Sequence, residues 1–312
     1  MKSLRGILLP FPTPFDEQER IDVFALRSNL SRWSETGING YVALGSTGER
    51  VHLEERECLE VVEAARRVVP PEMAFIVGAG QESVRATISE VRRVAEAGAD
   101  AALLITPHFY RGAMTQSALS RYYLMVADSA PLPLVLYSMP ELTGIALAPE
   151  TVAQLSQHEN IVGIKDSSGD IINFAETIRR VPEDFAVLTG SGPLLYAALC
   201  AGAWGGILAV GCAAPLIAVR IYEAVKAGEH ERAKWLQQRL APLALAVTKR
   251  YGIGGLKAAL DRIGYTGGRV RAPLQEPAED ARREIARTLE ACGSVEELTG
   301  SVEEFRQAGA AE

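Results

Sequence analysis

Lys165 is the residue of this chain best placed for covalent chemistry. It closes the apolar run Ile161-Val162-Gly163-Ile164 and is followed by Asp166-Ser167-Ser168-Gly169. A run that apolar is expected to be buried, and a buried amine either pairs its charge or gives it up; the neutral form is a nucleophile. Lys165 is therefore a candidate Schiff-base lysine, to be weighed against a strand-end lysine that reaches to solvent. Three other segments also end apolar runs with groups that could bind or move protons. They are Gly45-Ser46-Thr47-Gly48-Glu49, Tyr137-Ser138 before Met139-Pro140, and Gly190-Ser191-Gly192. Glycines around hydroxyl residues can present N–H and O–H groups to a carboxylate. The plainer alternatives are an ordinary tight turn at 45–48 and a core aromatic at Tyr137.

Such residues must be held by a repeating scaffold. Short apolar runs at 6–9, 40–44, 74–78, 101–106, 134–138, 161–165, 186–189 and 206–210 read as strands, and amphipathic stretches such as 54–68, 84–97 and 117–128 read as helices between them. Strands apolar on both faces and joined by helices specify a parallel sheet. Eight repeats of similar length fit a closed (β/α)8 barrel better than the alternative, an open doubly wound sheet. In a barrel the strand carboxyl ends share one rim, where the four segments above would converge. Beyond residue 210 the strand pattern stops, and 215–227, 230–251, 255–263 and 277–291 read as helices. The expected division is a catalytic barrel over 1–228 and a helical bundle over 229–312, with an acidic tail at 294–312 that frays.

The chain has 312 residues, 48% hydrophobic and 23% charged, with a formal net charge of -7. That is enough to bury a sizeable core, and the acidic balance argues against a nucleic-acid surface. Pro10, Pro12 and Pro14 interrupt the first apolar run too early for a signal peptide or membrane span. Cys58, Cys200, Cys212 and Cys292, like His52, His108, His158 and His230, are scattered without metal or redox spacing, as in a reduced cytoplasmic protein. Small molecules are the expected partners, with no nucleic acid and no membrane.

Gly45 to Glu49, Tyr137-Ser138-Met139-Pro140 with Thr143-Gly144, and Gly163-Ile164-Lys165-Asp166 resemble, in order and spacing, the signature segments of the dihydrodipicolinate synthase and N-acetylneuraminate lyase superfamily. Ser156-Gln157-His158, Tyr110-Arg111-Gly112, Tyr251-Gly252-Ile253 and Arg271-Ala272-Pro273-Leu274-Gln275-Glu276 are most similar to its 4-hydroxy-2-oxoglutarate aldolase branch. The resemblance implies a (β/α)8 TIM barrel with a small C-terminal helical domain, a homo-oligomer (dimer or tetramer), and class I aldolase chemistry on 2-oxo acids, without metal or organic cofactor. Lys165 would form the imine and Tyr137 would shuttle the proton with Thr47. Ser46, Thr47, Gly48, Thr143, Gly190, Ser191 and Ile207 would shape the substrate site.

Two departures bear on the substrate. Synthases of the family carry an arginine two residues before the closing glycine of the Tyr137 segment, where it holds the aldehyde substrate's carboxylate; here that residue is Leu142, which cannot. The tyrosine lent by a neighbouring subunit aligns with Phe109, so either Tyr110 substitutes as a relay or the relay is shortened. The expected reaction is cleavage of 4-hydroxy-2-oxoglutarate to pyruvate and glyoxylate. Alternatives are dihydrodipicolinate synthesis, a sugar-acid aldolase or dehydratase, a barrel enzyme of phosphorylated metabolites, and a non-catalytic pyruvate sensor.

Overall fold

The structure, a computed structural model, describes residues 2–300. Eight parallel strands close into a barrel in chain order: β1 Gly6–Pro10, β2 Gly40–Ala43, β3 Ala74–Ala79, β4 Ala101–Ile105, β5 Leu134–Ser138, β6 Ile161–Asp166, β7 Ala186–Thr189 and β8 Gly205–Ile207, with β8 returning to β1. This is the (β/α)8 barrel that the apolar periodicity predicts. The alternation of each strand divides its side chains between two apolar layers. Leu8, Val42, Ile76, Leu103, Val135, Tyr137, Ala186, Leu188 and Ile207 pack together inside the barrel. Leu134, Leu136, Ile164 and Val187 belong to a second cluster with the surrounding helices.

The register places Lys165 between Tyr137 of β5 and Leu188 of β7. Both neighbours point inward, so Lys165 does too. The same alternation turns Ile164 and Asp166 outward.

The eighth strand is shorter than the apolar run at 206–210. Gly205 stands so close to β1 that a Cβ there would fall 1.8 Å from the Gly6 carbonyl oxygen, and after Ile207 the chain turns into the 3-10 segment Ala209–Cys212. The stretch at 230–251 is one helix only to Ala244. Pro242 withholds an amide hydrogen from the ladder, and the following turn, Leu245–Arg250, widens to a π-helix.

Helices Gly252–Arg262 and Glu279–Cys292 complete the C-terminal part. Their apolar stripes, with Leu236, Leu240, Leu243 and Val247, join Ile7, Leu9, Phe11 and Trp33 in one continuous core. The expected fraying at 294–312 fails at its start: Ser294 and Glu297 form a capping box for helix Val295–Thr299, and Leu298 is buried. The remainder, 301–312, lies outside the described residues. Among the described residues no helix is long and apolar enough to cross a membrane.

Candidate active site

All four segments named above meet around the mouth of the barrel. The Lys165 side chain is 4% exposed, and its Nζ stands 4.4 Å from the centroid of the Tyr137 ring. The Tyr137 hydroxyl is 3.1 Å from the Ser46 hydroxyl, so lysine, phenol and serine form one line of contact. Thr47 is buried beside them, and its hydroxyl has no protein hydrogen-bond partner among the described residues. Ser46, Thr47 and Gly48 form a single 3-10 turn, whose first amides lack intrahelical acceptors and can serve an anion.

The turn is bounded by two non-glycine residues in the left-handed region, Leu44 (φ 54°) and Glu49 (φ 56°). Such positions cost about 1–3 kcal/mol each and persist only where their surroundings fix them. Gly78 permits the first: a Cβ there would lie 2.1 Å from the Leu44 carbonyl oxygen.

Gly190 brings β7's loop close to the lysine. A Cβ at this position would lie 1.9 Å from the Ser167 hydroxyl oxygen and 3.1 Å from Lys165 Cε. Gly190→Ala is therefore expected to push the Ser167 hydroxyl aside and press on the lysine arm, lowering the rate of imine formation by less than the roughly 10²-fold of a 1 Å misplacement. Rapid-quench trapping with borohydride measures it, and an unchanged rate in a folded variant would remove Gly190 from the site. Ser191 is half-buried on the same loop, and Ile207 lies in the barrel interior with Tyr137. Gly192 faces elsewhere, against Val210.

Two expected site residues are placed differently. The Thr143 hydroxyl has its one hydrogen within reach of the Met139 and Ile145 carbonyls and accepts from the Ile145 amide. It holds the β5 loop in shape and has no hydrogen left for a substrate. Tyr110 is 70% exposed, stacked edge-on against Phe109 at 5.1 Å, and makes no hydrogen bond to Tyr137 within the chain. The Glu82 carboxylate accepts the His108 and Phe109 amides and so fixes that loop pointing outward.

Ser167 and Arg111 stand in segments quoted from the sequence, which assigns neither a role of its own. Adjacency to Lys165 is the only signal Ser167 carries. The Arg111 guanidinium crosses from the loop after β4 to the loop after β5, with Nε and Nη1 each 3.4 Å from where a Gly144 Cβ would stand. It has no side-chain partner among the described residues. Asp166, outward beside the lysine, accepts the Ser168 amide at 2.7 Å, and burial pushes its carboxyl above the usual range.

The pattern of the dihydrodipicolinate synthetase family matches residues 3–292. A 4-hydroxy-tetrahydrodipicolinate synthase of Methanopyrus kandleri is 34% identical over 95% of this chain and 98% of its own length. One from Exiguobacterium is 30% identical over 91% and 97%. Among solved structures, a dihydrodipicolinate synthase of Bacillus anthracis superposes with a TM-score of 0.89 at 28% identity, covering 93% of this chain and 99% of that one. A prophage protein of the same family from E. coli, solved in complex with pyruvate, gives 0.86 at 28% identity, covering 93% and 98%. With the barrel closed in chain order and an inward lysine beside the β5 tyrosine, the chain belongs to the dihydrodipicolinate synthetase family.

Proposed function

We propose that this chain is a class I aldolase that binds a 2-oxo acid as an imine on Lys165. The observation that carries the reading is the buried Lys165 amine held over the Tyr137 ring, with the Ser46 hydroxyl on the phenol. Ser46, Thr47 and their amides hold the acid's carboxylate, setting its ketone against Lys165 for attack and loss of water. The iminium then withdraws electrons from the neighbouring carbon, so a carbon–carbon bond there can break or form through an enamine. Tyr137 carries the proton to or from the substrate hydroxyl. Pyruvate in the E. coli relative supports the choice of acid.

The names of the curated relatives support the synthase reading, with aspartate semialdehyde as second substrate, over the cleavage of 4-hydroxy-2-oxoglutarate. Leu142 is the specific observation on the other side. It is 55% exposed on the β5 loop and offers no charge to a distal carboxylate. Arg111 beside Gly144 offers one from the opposite loop. A charge-assisted hydrogen bond to a carboxylate contributes about 1.5–3 kcal/mol, roughly ten- to a hundredfold in kcat/KM. Pyruvate condensation with glyoxylate and with aspartate semialdehyde should be compared directly, with and without chelator. Faster condensation with the semialdehyde establishes the synthase; faster reaction with glyoxylate, lowered at least tenfold by Arg111→Leu, establishes the aldolase. The exposed rim residues Val51, Phe109, Tyr110 and Leu142 fit a homo-oligomer whose subunits cover this edge.

A further inference from the structure

The most deeply buried ion pair among the described residues lies next to the turn that carries Ser46 and Thr47. Glu49 Oε1 is 2.6 Å from Lys257 Nζ, with the two side chains 0% and 2% exposed. The other carboxylate oxygen accepts the Arg271 amide at 3.0 Å and faces His52 Nδ1 at 3.4 Å. Lys257 also donates to the Arg269 carbonyl. Arg271 in turn grips Glu57 with both arms of its guanidinium, at 2.6 and 2.7 Å, and the Phe15 ring lies against both cations, 4.5 Å from Lys257 and 4.4 Å from Arg271. Burial pushes the Lys257 ammonium below its ordinary value, and the Glu49 charge pulls against it.

A buried pair of this kind is a poor source of stability, because each charge must first be stripped of water. It is a good source of geometry. Glu49 is the left-handed residue that ends the 3-10 turn, and its amide closes that turn on the Ser46 carbonyl at 3.2 Å. On the other side the Thr13 hydroxyl donates to the Gly48 carbonyl at 2.8 Å. The residue that ends the 46–48 turn thus has a carboxylate whose counter-ion belongs to the C-terminal helix Gly252–Arg262.

We propose that Glu49 and Lys257 are positioning residues through which the C-terminal helix sets Ser46 and Thr47 for the 2-oxo acid carboxylate. The proposal rests on the reading that those two residues hold that carboxylate. Its readout is the pyruvate concentration giving half-maximal borohydride trapping on Lys165, measured apart from the trapping rate at saturation and from the melting temperature. Lys257→Met and Glu49→Gln should each raise that concentration at least tenfold and change the saturated rate less than threefold. The double variant, which leaves no unpaired charge, should recover melting temperature but not pyruvate affinity. Glu57→Gln, which loosens Arg271 at a half-buried site and spares the core, should raise the concentration about threefold and serves if the core variants do not fold. A fall in melting temperature with pyruvate affinity unchanged, in any of the folded variants, overturns the proposal. Ser46→Ala and Thr47→Val separate the two failures. If they weaken pyruvate binding and the ion-pair variants do not, only the positioning role falls; if they leave binding unchanged, the carboxylate reading falls and takes the proposal with it.

Discussion

Lys165→Ala is expected to abolish both the pyruvate adduct trapped by borohydride and all measurable turnover, in a protein that still folds. Two lysines are buried among the described residues, Lys165 and Lys257, and they differ in kind. Lys257 has a carboxylate at 2.6 Å and a carbonyl acceptor, so its amine is engaged by partners on both sides. Lys165 faces a ring and a barrel interior, and no carboxylate is paired with it among the described residues. Only the second arrangement suits a nucleophile. Peptide mass analysis should find one pyruvate-derived increment on the segment containing Lys165 and none on Lys257. Turnover without any trapped adduct would falsify the Schiff-base reading outright.

Tyr137→Phe should lower turnover by roughly 10²-fold or more, the usual scale for a positioned acid–base group, and leave the adduct detectable. The aromatic ring would remain as the floor under Lys165, since only the hydroxyl is removed. What is lost is the contact with Ser46 and with it the route for the substrate proton. Measuring trapping and turnover on the same preparation separates the two roles. Equal loss of both would mean that the hydroxyl is needed before the carbon–carbon step, in formation of the imine; wild-type turnover would move the relay to another group or to water.

Much of the barrel was legible because parallel strands buried on both faces leave short, nearly continuous apolar runs. The rim residues were legible for a related reason: Lys165 and Tyr137 interrupt or end such runs, and a polar side chain there is conspicuous. Contacts between distant segments leave no comparable mark. Ser167 looks like any loop serine until Gly190 is seen to need the space beside its hydroxyl, and Arg111 looks like a surface arginine until its loop is placed against Gly144. The position of Thr143 in the β5 loop likewise says nothing about its hydroxyl, which is engaged with Met139 and Ile145. The end of β8 depended on how closely Gly205 approaches Gly6, a closure distance that no local pattern encodes.

The Glu49 carboxylate and the Arg271 amide that binds it are 222 residues apart in sequence. At synthesis rates of roughly 5–20 residues per second, about 10–45 s pass between the two leaving the ribosome's decoding site. Throughout that interval the nascent chain carries the sequence of the β2 turn, with Glu49, but without the groups that hold it in the folded protein. The barrel itself cannot close before β8 arrives to pair with β1. The part of the molecule that is translated first is therefore finished last, and an amino-terminal fragment, however many strands it contains, lacks the constraint that shapes its own rim.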